Sequence, residues 1–488
     1  MPNKNQPFLK EFSHLFFGSA KKSTLTKLQE LKSLEDLYNA FGDLFPAKLL
    51  QPTARGANSR QRSLPLHVVF WAFVAQALNP ETSCRGIVLQ IEAWWRWLCR
   101  YEARAVSTSA YCQARQRLDL RTLKHINDAI VHPLETRIHS CERTFPGRDV
   151  KIVDSTTFSM PDTKENQARW PQPSSQEPGC GFPLAKVTAL FSLVSGALLG
   201  YVLSASAHES VLFRQLWNLL QRGDILLADR AFCSYGAMAE LLQRGVDTVL
   251  RLHQLRKTDC ANATRLGQDD QLVTWHKPTQ CPATTAREDF DLWPKTLSVR
   301  LITTYITAPG FRTRKVVIAT TLLDPVAYPA DTLRSLYAKR WNVELHFDQI
   351  KTTLGLHVLT CKSPEMIEKE LQIRVITYNL VRALMQRAAQ IHHVPLDRIS
   401  FQGAVDNLCQ FGPAIHACSR NHPKKKAELI DNMLASIAED LVPSRPNRME
   451  PRAIKRRPKN YQLLTKPRHQ MNVIPHRQKY KKIIEMAP

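Results

Sequence analysis

The sequence predicts an α/β protein with a strand-rich core, interrupted by a β-rich insertion, between a helical N-terminal region and a helical C-terminal region. Three observations predict it. Apolar residues recur at helical spacing before residue 145 and again beyond residue 331. Between these stretches, short apolar runs alternate with helical stripes, and one pair of runs reads as a hairpin. From 253 to 330, Pro278, Pro282, Pro294 and the Pro309-Gly310 pair punctuate strand-like segments. The implied regions are 1–145, 146–252, 253–330, 331–395 and 396–488.

The first region has helical patterns over Leu64–Leu78 and Ile87–Leu98. Asn79-Pro80 ends the first, and Thr82 or Ser83 can cap the second. A third segment, Ser107–Leu118, opens on capping residues and carries Arg115 and Arg117. Short helices with Tyr, Gln and Arg exposed near their starts suit DNA contact; no clean helix-turn-helix pattern is present, and the alternative is an ordinary helical bundle. The Trp94-Trp95-Trp97 cluster reads as core.

In the second region, Val150–Val153 is a strand that runs into Asp154. The hairpin of Leu184–Val194 and Ala197–Ser204 follows. A helix over His208–Arg222, closed by Gly223, precedes the strand Ile225–Ala228, which ends at Asp229. A helix over Tyr235–Arg244 and a strand over Val246–Leu252 complete the unit. If the strands before Asp154 and Asp229 are neighbours, the two carboxylates meet at one sheet edge. The insertion contributes runs at Leu297–Ile306 and Arg314–Leu322, residues 331–390 are helical, and the chain past Pro443 is extended.

Charge narrows the function. Lys and Arg number 67 against 43 acids, a net of +24. Residues 1–150 carry +8, residues 441–488 carry +11, and the 290 residues between carry only +5. Two basic flanks on a nearly neutral body point to a polyanion, most simply nucleic acid. The eleven cysteines are scattered and form no CxxC pair, which supports neither a disulfide framework nor a zinc ribbon and fits a reducing, intracellular compartment. The N-terminus has no apolar signal-like run. The uncharged stretch Val187–Ala207 is long enough to span a bilayer, but four Ser, one Thr and the Ser195-Gly196 break make it a hairpin and not a membrane span.

The densest chemistry lies between Tyr337 and Lys351. On an ideal helix Tyr337, Arg340, Glu344 and Lys351 share a stripe about 60° wide. Leu336, Val343, Phe347, Ile350 and Leu354 form an apolar stripe about 70° away. A solvated face with an Arg340–Glu344 pair would look the same on spacing alone.

The spacing Tyr-x2-Arg-x3-Glu-x6-Lys resembles the C-terminal signature of bacterial cut-and-paste insertion-sequence transposases with a DDE catalytic core of RNase H-like (retroviral-integrase-type) fold. Other segments agree with the resemblance: Val153-Asp154-Ser-Thr-Thr-Phe, where Ser155 replaces a frequent Gly; Leu227-Ala-Asp229-Arg230-Ala-Phe232; Lys369-Glu-Leu with Tyr378-Asn-Leu-Val-Arg382; and Pro451–Pro458. It covers roughly residues 60–470. It implies that Asp154, Asp229 and Glu344 are catalytic and hold two Mg²⁺ ions, with Mn²⁺ as a substitute. That fits the preference of hard cations for carboxylate oxygen. It further implies that Arg340, Lys351 and Tyr337 grip DNA phosphates, and that Arg230 pairs with either a carboxylate or a phosphate. An aromatic in the insertion stacks a displaced base, Trp275 being the best match and Trp293 the rival, with a buried core role as the alternative. The partners implied are transposon ends and target duplex DNA, with a homodimer in the synaptic complex and no membrane. The location is the bacterial cytoplasm, at the nucleoid. A nuclease of the same fold that does not transpose, or a non-catalytic nucleic-acid-binding protein, are the other readings.

Overall fold

The computed structural model describes residues 46–51, 64–99, 106–138, 142–205, 207–256, 263–306, 314–357, 359–418, 422–443 and 464–471. The segment Pro451–Pro458 and the side chains of Trp94, Trp95 and Trp97 lie outside what is described.

Among the described residues, four α-helices precede the sheet: α1 (Leu66–Leu78), α2 (Cys84–Cys99), α3 (Thr108–Gln116) and α4 (Leu120–Thr136). The start signals expected at Ser83 and Ser107 act as caps, and Asp119 is a further one that the sequence reading did not single out. The Ser83 hydroxyl accepts from the Gly86 amide at 3.2 Å, that of Ser107 from Ala110 at 3.0 Å, and the Asp119 carboxylate from Thr122 at 2.9 Å. The core then alternates: β1 (Val150–Ser159), α5 (Lys164–Arg169), β2 (Leu184–Ser192), β3 (Leu198–Ser204), α6 (Glu209–Arg214), β4 (Ile225–Ala228), α7 (Tyr235–Gln243) and β5 (Asp247–Arg251). The helix expected over His208–Arg222 is shorter, because a 3-10 turn at Trp217–Leu219 takes over. The Ser195-Gly196 break is a tight hairpin turn with Gly196 at φ +67°.

Strands β6 (Thr264–Gly267), β7 (Asp270–His276), β8 (Thr296–Ile306) and β9 (Arg314–Thr320), with the short α8 (Arg287–Asp291), make up the insertion. It is not a separate β unit. Strand β9 pairs with β5, so the nine strands among the described residues form one sheet in the order β3-β2-β1-β4-β5-β9-β8-β7-β6. β1 is antiparallel to β2 and parallel to β4, which is parallel to β5. Among the described residues no helix is long and apolar enough to cross a membrane.

The C-terminal part holds α9 (Ala330–Ala338), α10 (Asn342–Asp348), α11 (Pro364–His392), α12 (Phe401–Ala417) and α13 (Pro423–Glu439). Both faces of the sheet centre are covered. Val150, Ile152, Ile225, Leu227 and Val249 join one core with α1, α4, α9, α10 and α11, whereas Val153, Leu226, Ala228 and Leu250 join a second core with α6 and α7. Burial on both faces explains why β4 reads as a continuous apolar run instead of an alternating one. The basic tail is not wholly extended: Arg468 pairs with Asp162, and its amide donates to the Gly179 carbonyl at 3.2 Å, tying residues 464–471 to the loop after β1.

Candidate active site

Strand period places the site. Side chains two residues apart share a face, so Asp154 follows Val150 and Ile152, Asp229 follows Ile225 and Leu227, and Arg251 follows Val249. All three therefore point to the face covered by α9 and α10. The parallel register ends at Val153 beside Ala228, and the next position on each chain is an aspartate. β1 does not stop at Asp154, as its sequence suggested. It continues five residues further against β2, leaving Asp154 at the point where its β4 neighbour runs out.

The charged helix is irregular. A 3-10 turn (Lys339–Trp341) joins α9 to α10, and a π-turn (Gln349–Thr353) carries Lys351. The apolar stripe expected of it is buried as expected, at Leu336, Val343, Phe347, Ile350 and Leu354. His346 is core as well, stacked 5.4 Å from Phe191 and held neutral by burial, which lowers its pKa to about 3.

Arg340 is buried between two of the carboxylates, with Nη1 3.7 Å from Asp154 Oδ2 and Nη2 3.2 Å from Glu344 Oε1. Burial alone would weaken its charge. The surrounding Tyr337, Asp229, Glu344 and Asp154 outweigh that and raise its pKa. Tyr337 beside it is buried, which holds the phenol protonated well above its usual range. Lys351 reaches Thr156, two residues beyond Asp154 on the same face, and burial lowers its pKa. Asp154 itself is pushed up to about 6, chiefly by burial, with the Asp229 charge adding to the effect against a 2.7 Å bond from the Ser155 amide and the Arg340 charge. The carboxylates of Asp154, Asp229 and Glu344 are 25%, 34% and 51% exposed, open enough for a cation and a strand to approach.

Donor chemistry fits a hard divalent cation, since all three groups are carboxylates and Mg²⁺ ordinarily takes one or two of them plus phosphate and water. Among the described residues, no three His, Cys, Asp or Glu converge as a ready-made cage. Asp154 and Asp229 form the adjacent pair, and Glu344 faces Arg340 from the helix.

Sequence reasoning missed two residues. Arg251 lies 3.7 Å from the Asp229 carboxylate. The register of β4 with β5, Ala228 beside Leu250, makes it Asp229's neighbour, a relation that aligning the two predicted strands would have exposed. Trp341 is 47% exposed on the helical run between Tyr337 and Lys351, its ring 5.0 Å from the Arg340 guanidinium.

Other expectations need correction. Trp275 is only 6% exposed, with Arg256 lying 3.8 Å over its ring. Trp293 is buried against Gly236 and donates to Glu240 at 2.8 Å. Both are core residues, because the insertion is part of a two-sided sheet. Arg115 and Tyr111, expected on an exposed helix face, point inward: Arg115 is 8% exposed and sits between the rings of Phe73 and Tyr111. Arg117 is half-buried and donates to the Leu64 carbonyl at 2.6 Å. The exposed positions of α3 are instead Ser109, Gln113 and Gln116. Arg230 is exposed and bonded to Gln254 at 2.8 Å, not to a carboxylate.

Two aspartates at neighbouring parallel-strand ends, beside a helical run that carries a glutamate and two cations, fit an enzyme that acts on nucleic-acid phosphodiesters. The chain belongs to the DDE transposases of bacterial insertion sequences, enzymes that cleave DNA and join its strands. Residues 145–380 match the family described as Transposase DDE domain, and residues 39–127 match that described as Insertion element 4 transposase N-terminal. The chain is 26% identical over 445 residues to Transposase InsG for insertion sequence element IS4 of Escherichia coli (strain K12), covering 88% of this chain and 94% of that protein. Among solved structures it is similar to the piggyBac transposase synaptic complex with hairpin DNA, at 10% identity and a TM-score of 0.40, covering 86% of each chain.

Proposed function

We propose that Asp154, Asp229 and Glu344 are the catalytic carboxylates of an RNase H-like core, and that they hold two Mg²⁺ ions, which Mn²⁺ can replace. The observation that carries this is the register, which brings Asp154 and Asp229 to adjacent positions under the helix bearing Glu344. When bound, such ions activate a water or a 3′-hydroxyl and stabilise the leaving oxygen.

The surrounding side chains prepare the strand. Arg340 and Lys351 offer cations to the phosphates on either side of the scissile bond, and the neutral Tyr337 phenol donates a hydrogen bond beside them. Arg230, which bonds Gln254 and no carboxylate among the described residues, meets a phosphate further out. Trp341, exposed one residue after Arg340, is the aromatic placed to stack on a base at the cut. Residues 1–145 recognise the terminal inverted repeats of the element, and the basic stretch 441–488 adds affinity without sequence preference. Two chains hold two ends together, so the active assembly is a homodimer working in the bacterial cytoplasm at the nucleoid.

Purified protein, Mg²⁺ and the DNA flanking its own gene give the direct test. Nicking at the element's ends, lost in Asp229→Asn while end-binding persists, is the expected result. Nicking by that variant at the wild-type rate would remove Asp229 from the site and the reading with it.

A further inference from the structure

Between the N-terminal helices and the start of α11 lies a cavity of about 860 Å³. Arg115 lines it, nine-tenths buried, and its Nε has no hydrogen-bond partner. Its other contacts are the rings of Phe73 and Tyr111, 4.8 and 5.1 Å from the guanidinium, the Gln76 side-chain oxygen 3.5 Å from Nη1 and the Cys112 sulfur 3.6 Å from Nη2. Among the described residues no carboxylate comes within ion-pair distance of it, although a buried cation is costly without a compensating anion.

The rest of the lining also suits an anion. α2 begins at Cys84 and the 29-residue α11 at Pro364, so two helix N-termini border the same space. Ser363, the residue before α11, makes no capping bond with its side chain and keeps its hydroxyl available. Lys362 stands exposed at the mouth. The other arginine in the wall, Arg374, is already bonded to Glu370 at 2.8 Å.

We propose that this cavity binds a small phosphorylated molecule whose phosphate sits at Arg115. Duplex DNA is too bulky for a cavity of this volume, and Arg115 is buried in its wall. The volume exceeds what a bare phosphate needs and falls in the ordinary range for small-molecule sites, about 300–1,000 Å³. Because its walls come from both the helical unit and the core, an occupant would bridge them.

Titration calorimetry on the full chain at fixed ionic strength tests this, with inorganic phosphate and adenosine monophosphate as separate probes. Saturable one-to-one binding with a Kd below about 1 mM is expected for at least one probe. It should weaken about tenfold in Arg115→Gln, which loses a charge-assisted contact, and about threefold in the surface variant Lys362→Gln. Tighter binding of the mononucleotide assigns a nucleotide-sized ligand, and equal binding assigns free phosphate. No saturable binding of either probe overturns the proposal, as does unchanged affinity in Lys362→Gln and a folded Arg115→Gln. The unmodified protein gives an independent readout. Cys84 and Cys112 are half-buried in the cavity wall, so saturating probe should slow their alkylation by iodoacetamide. Unchanged alkylation overturns the proposal, and protection by a duplex oligonucleotide alone overturns the small-molecule assignment.

Discussion

Residues 337–351 and residues 369–382 both carry a phenol and cations at helical spacing, and both lie against the same face of the sheet. Their polar groups meet different partners. In the first stretch Arg340 faces two carboxylates, and Glu344 is half-exposed. In the second every polar group named here is spent on the protein itself. The Tyr378 hydroxyl donates to the Gly196 carbonyl at 2.7 Å, and Arg382 donates twice to Ser195, at 2.9 and 2.6 Å. Asn379 accepts from the Leu198 amide at 2.9 Å and donates to its carbonyl at 3.0 Å and to Asn127 at 2.8 Å. The second stretch thus clamps the β2–β3 turn, whereas the first leaves charge uncommitted. A run of polar residues at fixed spacing can serve chemistry or architecture, and what separates the two is whether the partners are side-chain charges open to solvent or buried backbone groups.

Mutations should separate the stretches by effect. The largest loss is expected from Glu344→Gln, which should cut strand cleavage by about a thousandfold or more while end-binding in a gel-shift assay stays within about twofold. Arg340→Gln should follow with a loss of about a hundredfold, read as a lower single-turnover rate on pre-bound DNA. Cleavage by either variant at the wild-type rate would place the first stretch with the second, as architecture.

Protonation gives a graded effect. The Asp154 carboxyl titrates at about 6, above the ordinary 3.8, so between these values the folded chain keeps a proton that the unfolded chain has released. The residue's contribution to stability therefore declines as pH rises through that window, and it is the charged form that binds a cation. Mn²⁺ affinity measured by electron paramagnetic resonance should fall about tenfold for each pH unit below 6. A flat profile across that range would mean that Asp154 is not a ligand. Trp341→Ala should slow cleavage by about tenfold with little change in melting temperature, as expected if an exposed ring stacks on a base. The smallest effect on rate belongs to Asn379→Ala. Cleavage per folded molecule should be unchanged, although denaturant unfolding should show a loss of about 2–3 kcal/mol from the stranded backbone groups.

Much of the candidate site's geometry was legible because its logic is local. Two apolar runs each ending in aspartate, and a helix with cations and a carboxylate at fixed spacing, can be read without coordinates. Burial could not be read in the same way. Arg115 looked like a surface cation because arginine usually is one, and only the packing of α1 and α3 around it puts it inside. Trp275 looked available because of its position in the insertion, where the resembled family has a stacking aromatic, whereas β9 pairing with β5 draws the whole insertion into the central sheet. Arg251 needed a relation between two strands that neither shows alone. The helical wheel gave the right apolar stripe but not the 3-10 and π-turns that shape the polar one.

The way β1 outruns β4 has a consequence for insertions and deletions. Its ten residues are held on one side by β2 along almost their whole length, and on the other by β4 over only four. Loss of one residue between Val150 and Val153 would leave the β2 pairing beyond Asp154 intact and shift the remainder of the strand by one place. That shift turns the displaced side chains to the opposite face of the sheet. Asp229 lies past the end of its strand, in the turn that follows β4, where a length change can be absorbed locally. The two aspartates look equivalent as carboxylates, yet the reading frame of the fold tolerates length changes next to one of them and not next to the other.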